Sequence, residues 1–474
     1  MNKLLAQILI PVFALLVLLF ADLAPGQPEV TRMVAVAILM AGWWITEAIP
    51  IPITSLLPVA LFPLLGILDG RTTAGTYFNH LIFLFIGGFL FALAMQRWDL
   101  HRRIALRILR FLGTRPTQVL LGFMTSTWFL SMWISNTAAT MMMVPMAMAI
   151  IGPFREHLDK DDARRFSIVL VLGVAYSASI GGISTLIGTP PNMSLARILE
   201  ISFPDKEELS FAWWFKFAFP LSLTFLIAAW FTLSKLARLS KLQIQVNKNY
   251  FIEQHQMMGA MTSEQRAVGG LFFLLVFGWM FRPEWSQLFP NPKFIDDGTV
   301  AIVVALLLFL IPSKQKPGEK LMDWTASKGI RWGIVLMFGG GFALATGFIE
   351  SGLSDWLGQQ LTSLQSVPLW VLVTIICMSI TMLTELTSNM ATTEVVLPIL
   401  AAMATAISVD PLLLMIPATL SASCAFMLPV ATAPNAIAFG ASDVKIKDMI
   451  RYGFILNIIG VILISLTTLI VLPG

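Results

Sequence analysis

Ser135-Asn136-Thr137 sits inside a long apolar run, and Ser388-Asn389-Met390 repeats it further along the chain. The second triplet begins 388 − 135 = 253 positions after the first. Each is followed at the same distance by a proline, Pro145 and Pro398. Other features keep the register. Gly87-Gly88-Phe89 returns as Gly339-Gly340-Gly341-Phe342, with Phe89 and Phe342 at the same offset. Ser177-Ala178-Ser179 returns as Ser421-Ala422-Ser423, and Gly188-Thr189-Pro190-Pro191-Asn192 as Ala431-Thr432-Ala433-Pro434-Asn435, at an offset about ten residues shorter. Four features in one order at a nearly constant spacing mark an internal duplication. The chain reads as two copies of one unit, with the polar triplets facing each other in the middle.

The composition says where those copies live. Of 474 residues, 57% are hydrophobic and 12% charged. That leaves too little polar surface for a water-soluble chain of this length, and about ten runs are long and apolar enough to span a bilayer. The chain therefore reads as an integral membrane protein with the lipid bilayer as its surroundings. A formal net charge of +4 gives no reason to expect a nucleic-acid partner.

Apolar runs and their breakers set the expected spans. Helices are expected over about 5–22, 31–48, 53–68 and 80–98, with Pro50 and Pro52 ending the second. The N-terminal run resembles a signal peptide but lacks a convincing small-residue cleavage site, so it reads as a first membrane helix. Residues 117–151 and 369–407 are apolar stretches broken by the triplets. The helices starting near 166 and 411 break at the Thr-Pro-Pro-Asn and Thr-Ala-Pro-Asn turns. Further helices are expected over 212–235, 265–281, 298–312, 332–349 and 449–472.

Charge orders these segments across the bilayer, because cytoplasmic loops collect Lys and Arg. The loop 97–115 holds six arginines, while its counterpart 350–368 holds none. The loop 154–166 carries Arg155, Lys160, Arg164 and Arg165, and its counterpart 408–411 has no basic residue. Residues 200–212 are acidic, whereas 441–451 carry Lys445, Lys447 and Arg451. Corresponding loops thus lie on opposite sides, and the basic segments 236–263 and 313–331 lie inside. Both ends of each triplet stretch fall on one side, so each enters and returns. Halves of about 17 residues favour a re-entrant hairpin with the triplet at its tip.

The expected fold class is an all-α membrane protein with about 11 transmembrane helices plus two re-entrant hairpins, arranged as two inverted repeats. Residues 1–30 form an N-terminal helix. Repeat 1 covers 31–235, with scaffold helices in 31–98, a hairpin at 117–151 and a broken helix at 166–199. A cytoplasmic linker covers 236–263. Repeat 2 covers 264–474, with scaffold helices in 265–349, a hairpin at 369–407 and a broken helix at 411–440. The expected location is the cell inner (plasma) membrane, multi-pass, with the N-terminus inside and the C-terminus outside.

Breaks at membrane depth point to chemistry. Irregular backbone is tolerated there only where protein buries it or a wet cavity takes it up. A broken helix exposes N–H groups that favour anions and carbonyls that, with Ser, Thr and Asn oxygens, suit a hard cation such as Na⁺. No Arg or Lys lies near any of the four breaks in the sequence. An anion there is expected to rest on helix dipoles, amides, hydroxyls and co-bound cations. Other chemistries find little footing. The four histidines, His80, His101, His157 and His255, lack ligand spacing. Cys377 and Cys424 read as packing residues. Glu385 and Glu394 flank the second triplet and could take a proton, assist a cation or bond a neighbouring helix; Glu47 caps or ties the turn at Pro50. Trp43-Trp44 reads as packing or an interfacial anchor. With no membrane-embedded nucleophile–base pair, an enzyme is not expected.

Together Trp43-Trp44-Ile45-Thr46-Glu47-Ala48-Ile49-Pro50, the two Ser-Asn-x triplets and the two Pro-Asn breaks resemble the divalent anion/sodium symporter family, whose members include bacterial INDY-type dicarboxylate transporters. The resemblance implies a homodimer, with scaffold and transport domains working as an elevator. It implies one Na⁺ site at Ser131, Ser135, Asn136 and the Gly188 carbonyl, and another at Thr384, Ser388, Asn389 and the Ala431 carbonyl. It implies a small anionic substrate, of the succinate, malate and fumarate class, at Asn136, Thr137, Thr189, Pro190, Asn389, Met390 and Thr432. Na⁺ is the coupling ion and no organic cofactor is expected. The chain departs from the family at Met390, where dicarboxylate members often carry Thr, and at Ala433, where Pro is usual. A dicarboxylate exchanger, a citrate carrier or a sulfate carrier on the same fold remain alternatives, and a channel is disfavoured by occluded breaks.

Overall fold

A computed structural model of the chain describes residues 3–111, 113–154, 159–242, 249–441 and 443–472. Arg155, His157 and the middle of the linker 236–263 lie outside the described residues. The fold is all-α, with one isolated β-bridge between Pro312 and Lys320. Among the described residues eight helices are long and apolar enough to cross a membrane, or nine if the bent pair Ser263–Met280 and Arg282–Leu288 is one span. This is a multi-pass membrane protein.

Two expected spans come out short. The segment at 53–68 is split into Ile51–Thr54 and Leu57–Leu65, and the one at 298–312 is Asp297–Leu310, 14 residues long. At 1.5 Å per residue such helices fall short of a hydrocarbon core of about 30 Å. The arginine-rich segment 97–115, read from its charge as a loop, contains the helix Leu100–Phe111. Its Leu100, Ala105, Leu106 and Leu109 are buried while Arg102, Arg107 and Arg110 are exposed, so it is amphipathic. Arg103 is turned inward and donates to the carbonyls of Gly259 and Met258 at 2.9 Å, fixing the end of the linker.

The triplet stretches are helix pairs broken where expected. The first comprises Pro116–Ser131 and Asn136–Phe154, the second Leu369–Thr384 and Asn389–Ala406. The broken helices are Lys160–Gly182 with Pro190–Ser202, and Leu412–Ala422 with Ala433–Ala441. Proline explains the restart at 190, since it suits a helix's first position, where no N–H partner is needed.

Burial shows which elements are central. The best apolar window of Lys160–Gly182 is 94% buried, whereas that of Lys3–Phe20 is 11% buried, so the N-terminal helix is peripheral and the broken helix is core. Lys3–Phe20 is held by Trp43 Nε1, which donates to the Ala6 carbonyl at 3.3 Å, and by Gln7 Nε2, which donates to the Ala48 carbonyl at 2.7 Å. Trp44 is buried and donates to Ser55 Oγ at 3.1 Å. Glu47 is exposed and ends the helix Pro28–Thr46 with φ of 47°.

Packing between the two halves is reciprocal. His80–Arg97 lies against Asp297–Leu310, and Trp332–Glu350 lies against Ile51–Thr54 and Leu57–Leu65. Pro190–Ser202 lies against Asn389–Ala406, and Ala433–Ala441 against Asn136–Phe154. The repeated glycines mark the close approaches. A Cβ at Gly87 would stand 2.5 Å from Ala301 Cβ, and one at Gly340 would stand 2.6 Å from the Ser55 carbonyl oxygen. Neither position has room for a side chain.

Candidate functional site

The two helix-pair tips and the two helix breaks meet around one cavity of about 300 Å³. Asn136, Thr137, Thr189, Pro190, Asn389, Met390 and Thr432 all line it. So do Ser135, Gly188, Ser388 and Ala431. Ser131 and Thr384 lie just behind, fully buried, each reaching a lining asparagine. Every residue expected at the site is thus gathered in one place, from segments up to about 300 residues apart in the chain.

The hydrogen bonds behind the tips match bond for bond. Ser131 Oγ lies 2.6 Å from Asn136 Oδ1 and 2.7 Å from the Ala178 carbonyl oxygen. Thr384 Oγ1 lies 2.8 Å from both Asn389 Oδ1 and the Ala422 carbonyl oxygen. Each hydroxyl has one proton and faces two acceptors, so each cluster holds three oxygens with one donor hydrogen among them. The breaks are also fixed alike. Asn192 Nδ2 donates to the carbonyls of Gly182 at 3.2 Å and Thr185 at 2.7 Å. Asn435 Nδ2 donates to those of Ala425 at 2.9 Å and Leu428 at 3.0 Å. The Oδ1 atoms of both asparagines are buried without a donor among the described residues. Burying an acceptor unpaired costs roughly 1–3 kcal/mol. A surplus of buried oxygens suits a hard cation, so the donor set fits Na⁺.

Glycine shapes the first cluster. A Cβ on Gly182 would lie 2.6 Å from Asn136 Oδ1, and one on Gly188 would lie 2.4 Å from the Gly182 carbonyl oxygen. The asparagine amide and the turn can close on each other only because both side chains are missing. Ala178 and Ala422, whose carbonyls complete the clusters, are absent from the expected ligand set. The repeated Ser-Ala-Ser motif is the signal that points to them, but a helix carbonyl leaves no trace in side-chain chemistry.

Helix starts supply the complementary charge. Asn136, Pro190, Asn389 and Ala433 are first residues of helices, and all face the cavity. Each start carries part of a positive macrodipole and free N–H groups. They are not equal donors. Pro190 and Pro191 have no N–H, whereas the start at Asn389 has all of its N–H groups and no capping side chain on Ser388. Ala433 adds an N–H that a proline there would lack.

One expectation needs correction. The sequence places no Arg or Lys near the breaks, yet Arg331 lines the cavity. It arrives from the residue before Trp332–Glu350, through a long-range contact that sequence proximity does not reveal. Desolvation by the protein around it lowers its pKa from the ordinary value, but an arginine stays charged. Glu385 and Glu394, for their part, do not line the cavity. Glu385 accepts from the backbone N–H groups of Phe426, Met427 and Leu428 at 2.7, 2.9 and 3.0 Å, and from Asn457 Nδ2 at 2.8 Å. It therefore ties down the unwound loop of the second broken helix. Glu394 is buried, accepts from Ser194 Oγ, and lies against Gly341. Cys377 and Cys424 are free and buried. Among the described residues no group of His, Cys, Asp and Glu could hold a metal ion.

Comparison with known proteins covers the whole chain. Residues 2–471 match the family described as sodium:sulfate symporter transmembrane region. The chain is 41% identical over 478 residues to proteins named sodium-dependent dicarboxylate transporter SdcS from Staphylococcus saprophyticus and Staphylococcus aureus, covering 100% of this chain and 92% of each relative. In fold it is similar to the Alcanivorax borkumensis YdaH transporter, with a TM-score of 0.57 at 14% identity, covering 94% of this chain and 98% of that one. The chain belongs to the sodium:sulfate symporter family, the divalent anion/sodium symporters.

Proposed function

We propose that the protein is a secondary active transporter that couples Na⁺ entry to uptake of a small dicarboxylate of the succinate, malate and fumarate class. The matched pair of acceptor-rich clusters, flanking one cavity ringed by helix N-termini, is the observation that carries this reading. The relatives named sodium-dependent dicarboxylate transporters support it. Na⁺ is taken by Ser131, Ser135, Asn136 and the Gly188 carbonyl, joined by the Ala178 carbonyl. A second Na⁺ is taken by Thr384, Ser388, Asn389 and the Ala431 carbonyl, joined by that of Ala422. The substrate binds at Asn136, Thr137, Thr189, Pro190, Asn389, Met390 and Thr432. A dianion placed between two bound cations is stabilised by both, so substrate and Na⁺ bind cooperatively.

The architecture in this reading is two inverted repeats, 31–235 and 264–474, preceded by the N-terminal helix and joined by a cytoplasmic linker. Reciprocal packing between the halves and the opposite charges of corresponding loops support it. Eleven spans and two re-entrant hairpins account for the chain, with the short Ile51–Leu65, Asp297–Leu310 and Leu412–Ala422 counted as spans and Asn389–Ala406 assigned to a hairpin. The transport domain consists of the hairpins and broken helices, and it moves as an elevator against scaffold helices in a homodimer. The protein sits in the inner (plasma) membrane, N-terminus inside and C-terminus outside.

The test replaces the two asparagines singly. Asn136→Ala and Asn389→Ala in proteoliposomes are expected to abolish Na⁺-driven succinate uptake while purified protein keeps its gel-filtration profile. Normal uptake in either variant overturns the site assignment.

A further inference from the structure

Among the residues lining the cavity, Arg331 is the one charged side chain; no carboxylate lines it. Two other cations of that region are held in ion pairs. Arg97 pairs with Glu319 and Asp323 at 2.6 Å, and Lys316 reaches Glu319 at 3.7 Å. The Arg331 guanidinium has no ion pair or hydrogen bond among the described residues, and the residue is exposed. A guanidinium left unpaired beside a polar cavity is a site for an anion.

The donor inventory says which part of the anion it would meet. The helix start at Asn389 can hold one carboxylate through its uncapped N–H groups. A second carboxylate finds fewer donors: on the opposite break Pro190 and Pro191 have no N–H, and beside Asn389 the Met390 side chain offers a thioether where a hydroxyl would donate. A guanidinium offers five N–H donors in a fork that matches a carboxylate bidentately.

Resting on the function proposed above, we infer that Arg331 binds the second carboxylate of the substrate from the cavity wall and so makes the site select dianions over monoanions. Arg331 stands at the head of Trp332–Glu350, in the proposed scaffold, whereas the triplets belong to the proposed transport domain. The contact therefore exists only in the conformation that brings the triplets opposite Arg331. It acts as a side-specific grip on the substrate.

The test uses full-length protein in proteoliposomes under an inward Na⁺ gradient. Labelled succinate is the substrate, and succinamate, with one carboxylate replaced by an amide, is the competitor. In Arg331→Gln the KM for succinate is expected to rise about tenfold or more, the loss typical of a charge-assisted contact. The succinamate inhibition constant and the Na⁺ half-saturation are expected to stay where they are, and Arg331→Lys should recover part of the succinate affinity. A succinate KM within twofold of wild type, or equal weakening of succinate and succinamate, overturns the inference. Wild-type vesicles that ignore Na⁺ or succinate would instead overturn the transport reading beneath it. An Arg331→Gln protein that loses Na⁺ dependence, with Arg331→Lys no better, would make Arg331 a structural residue and also overturn the inference.

Discussion

Thr384 Oγ1 donates toward Asn389 Oδ1 at 2.8 Å while also facing the Ala422 carbonyl, which leaves one proton among three oxygens. Ser131 stands in the same relation to Asn136 and Ala178. If these clusters bind the coupling ion, removing a hydroxyl removes a ligand and leaves the fold alone. Ser131→Ala and Thr384→Ala are each expected to raise the Na⁺ concentration for half-maximal succinate uptake about tenfold. The double variant is expected to lose Na⁺ dependence altogether. Na⁺ titration of initial uptake rates checks this; unchanged curves in both single variants would make the hydroxyls structural.

Gly182 is the narrowest point of the first cluster. A methyl group there would meet Asn136 Oδ1 at 2.6 Å, closer than any real Cβ contact allows. The asparagine amide can yield by rotating, so Gly182→Ala is expected to fold but to bind Na⁺ about tenfold more weakly. Na⁺ titration of substrate-induced tryptophan fluorescence reads the shift. An unaltered half-saturation would place the cation away from Asn136.

Glu385 anchors a loop and does not line the cavity. Its carboxylate accepts three backbone N–H groups and one amide. Glu385→Gln replaces an acceptor with a donor facing those donors, and leaving buried polar groups mismatched costs roughly 1–3 kcal/mol. The variant is expected to melt at lower temperature in detergent, with its remaining folded fraction keeping the wild-type Na⁺ half-saturation. A wild-type melting temperature would show that the loop does not depend on the carboxylate.

Met390 is buried at the cavity edge, and its side chain supplies no donor. Met390→Thr adds a hydroxyl worth about 0.5–1.5 kcal/mol to a carboxylate oxygen. Uptake of succinate relative to sulfate is expected to rise by about two- to tenfold. Dual-label uptake in the same vesicles measures the ratio, and an unchanged ratio would make Met390 a packing residue.

Much of this site is legible in the sequence, and for a physical reason. Ser-Asn-x and Pro-Asn inside apolar runs cannot continue a membrane helix cheaply, so Asn136, Thr189, Asn389 and Thr432 announce themselves. The duplication then pairs them. What stays hidden acts over distance or through the backbone. The Ala178 and Ala422 carbonyls belong to ordinary helix positions. Glu385 meets N–H groups more than 40 residues away. Arg331 follows a basic loop and reads as one more topology signal. The helix Leu100–Phe111 is masked by its arginines, whose sidedness suggests a loop, although Leu100, Ile104 and Ile108, four residues apart, show the helical period.

The most direct measurement is uptake of radiolabelled succinate into proteoliposomes with and without an inward Na⁺ gradient, comparing empty vesicles with vesicles preloaded with succinate. Uptake that needs the Na⁺ gradient and no preload is the expected result. Uptake that needs preload and ignores Na⁺ would contradict it, leaving an exchanger in which the oxygen clusters behind Asn136 and Asn389 bind no ion.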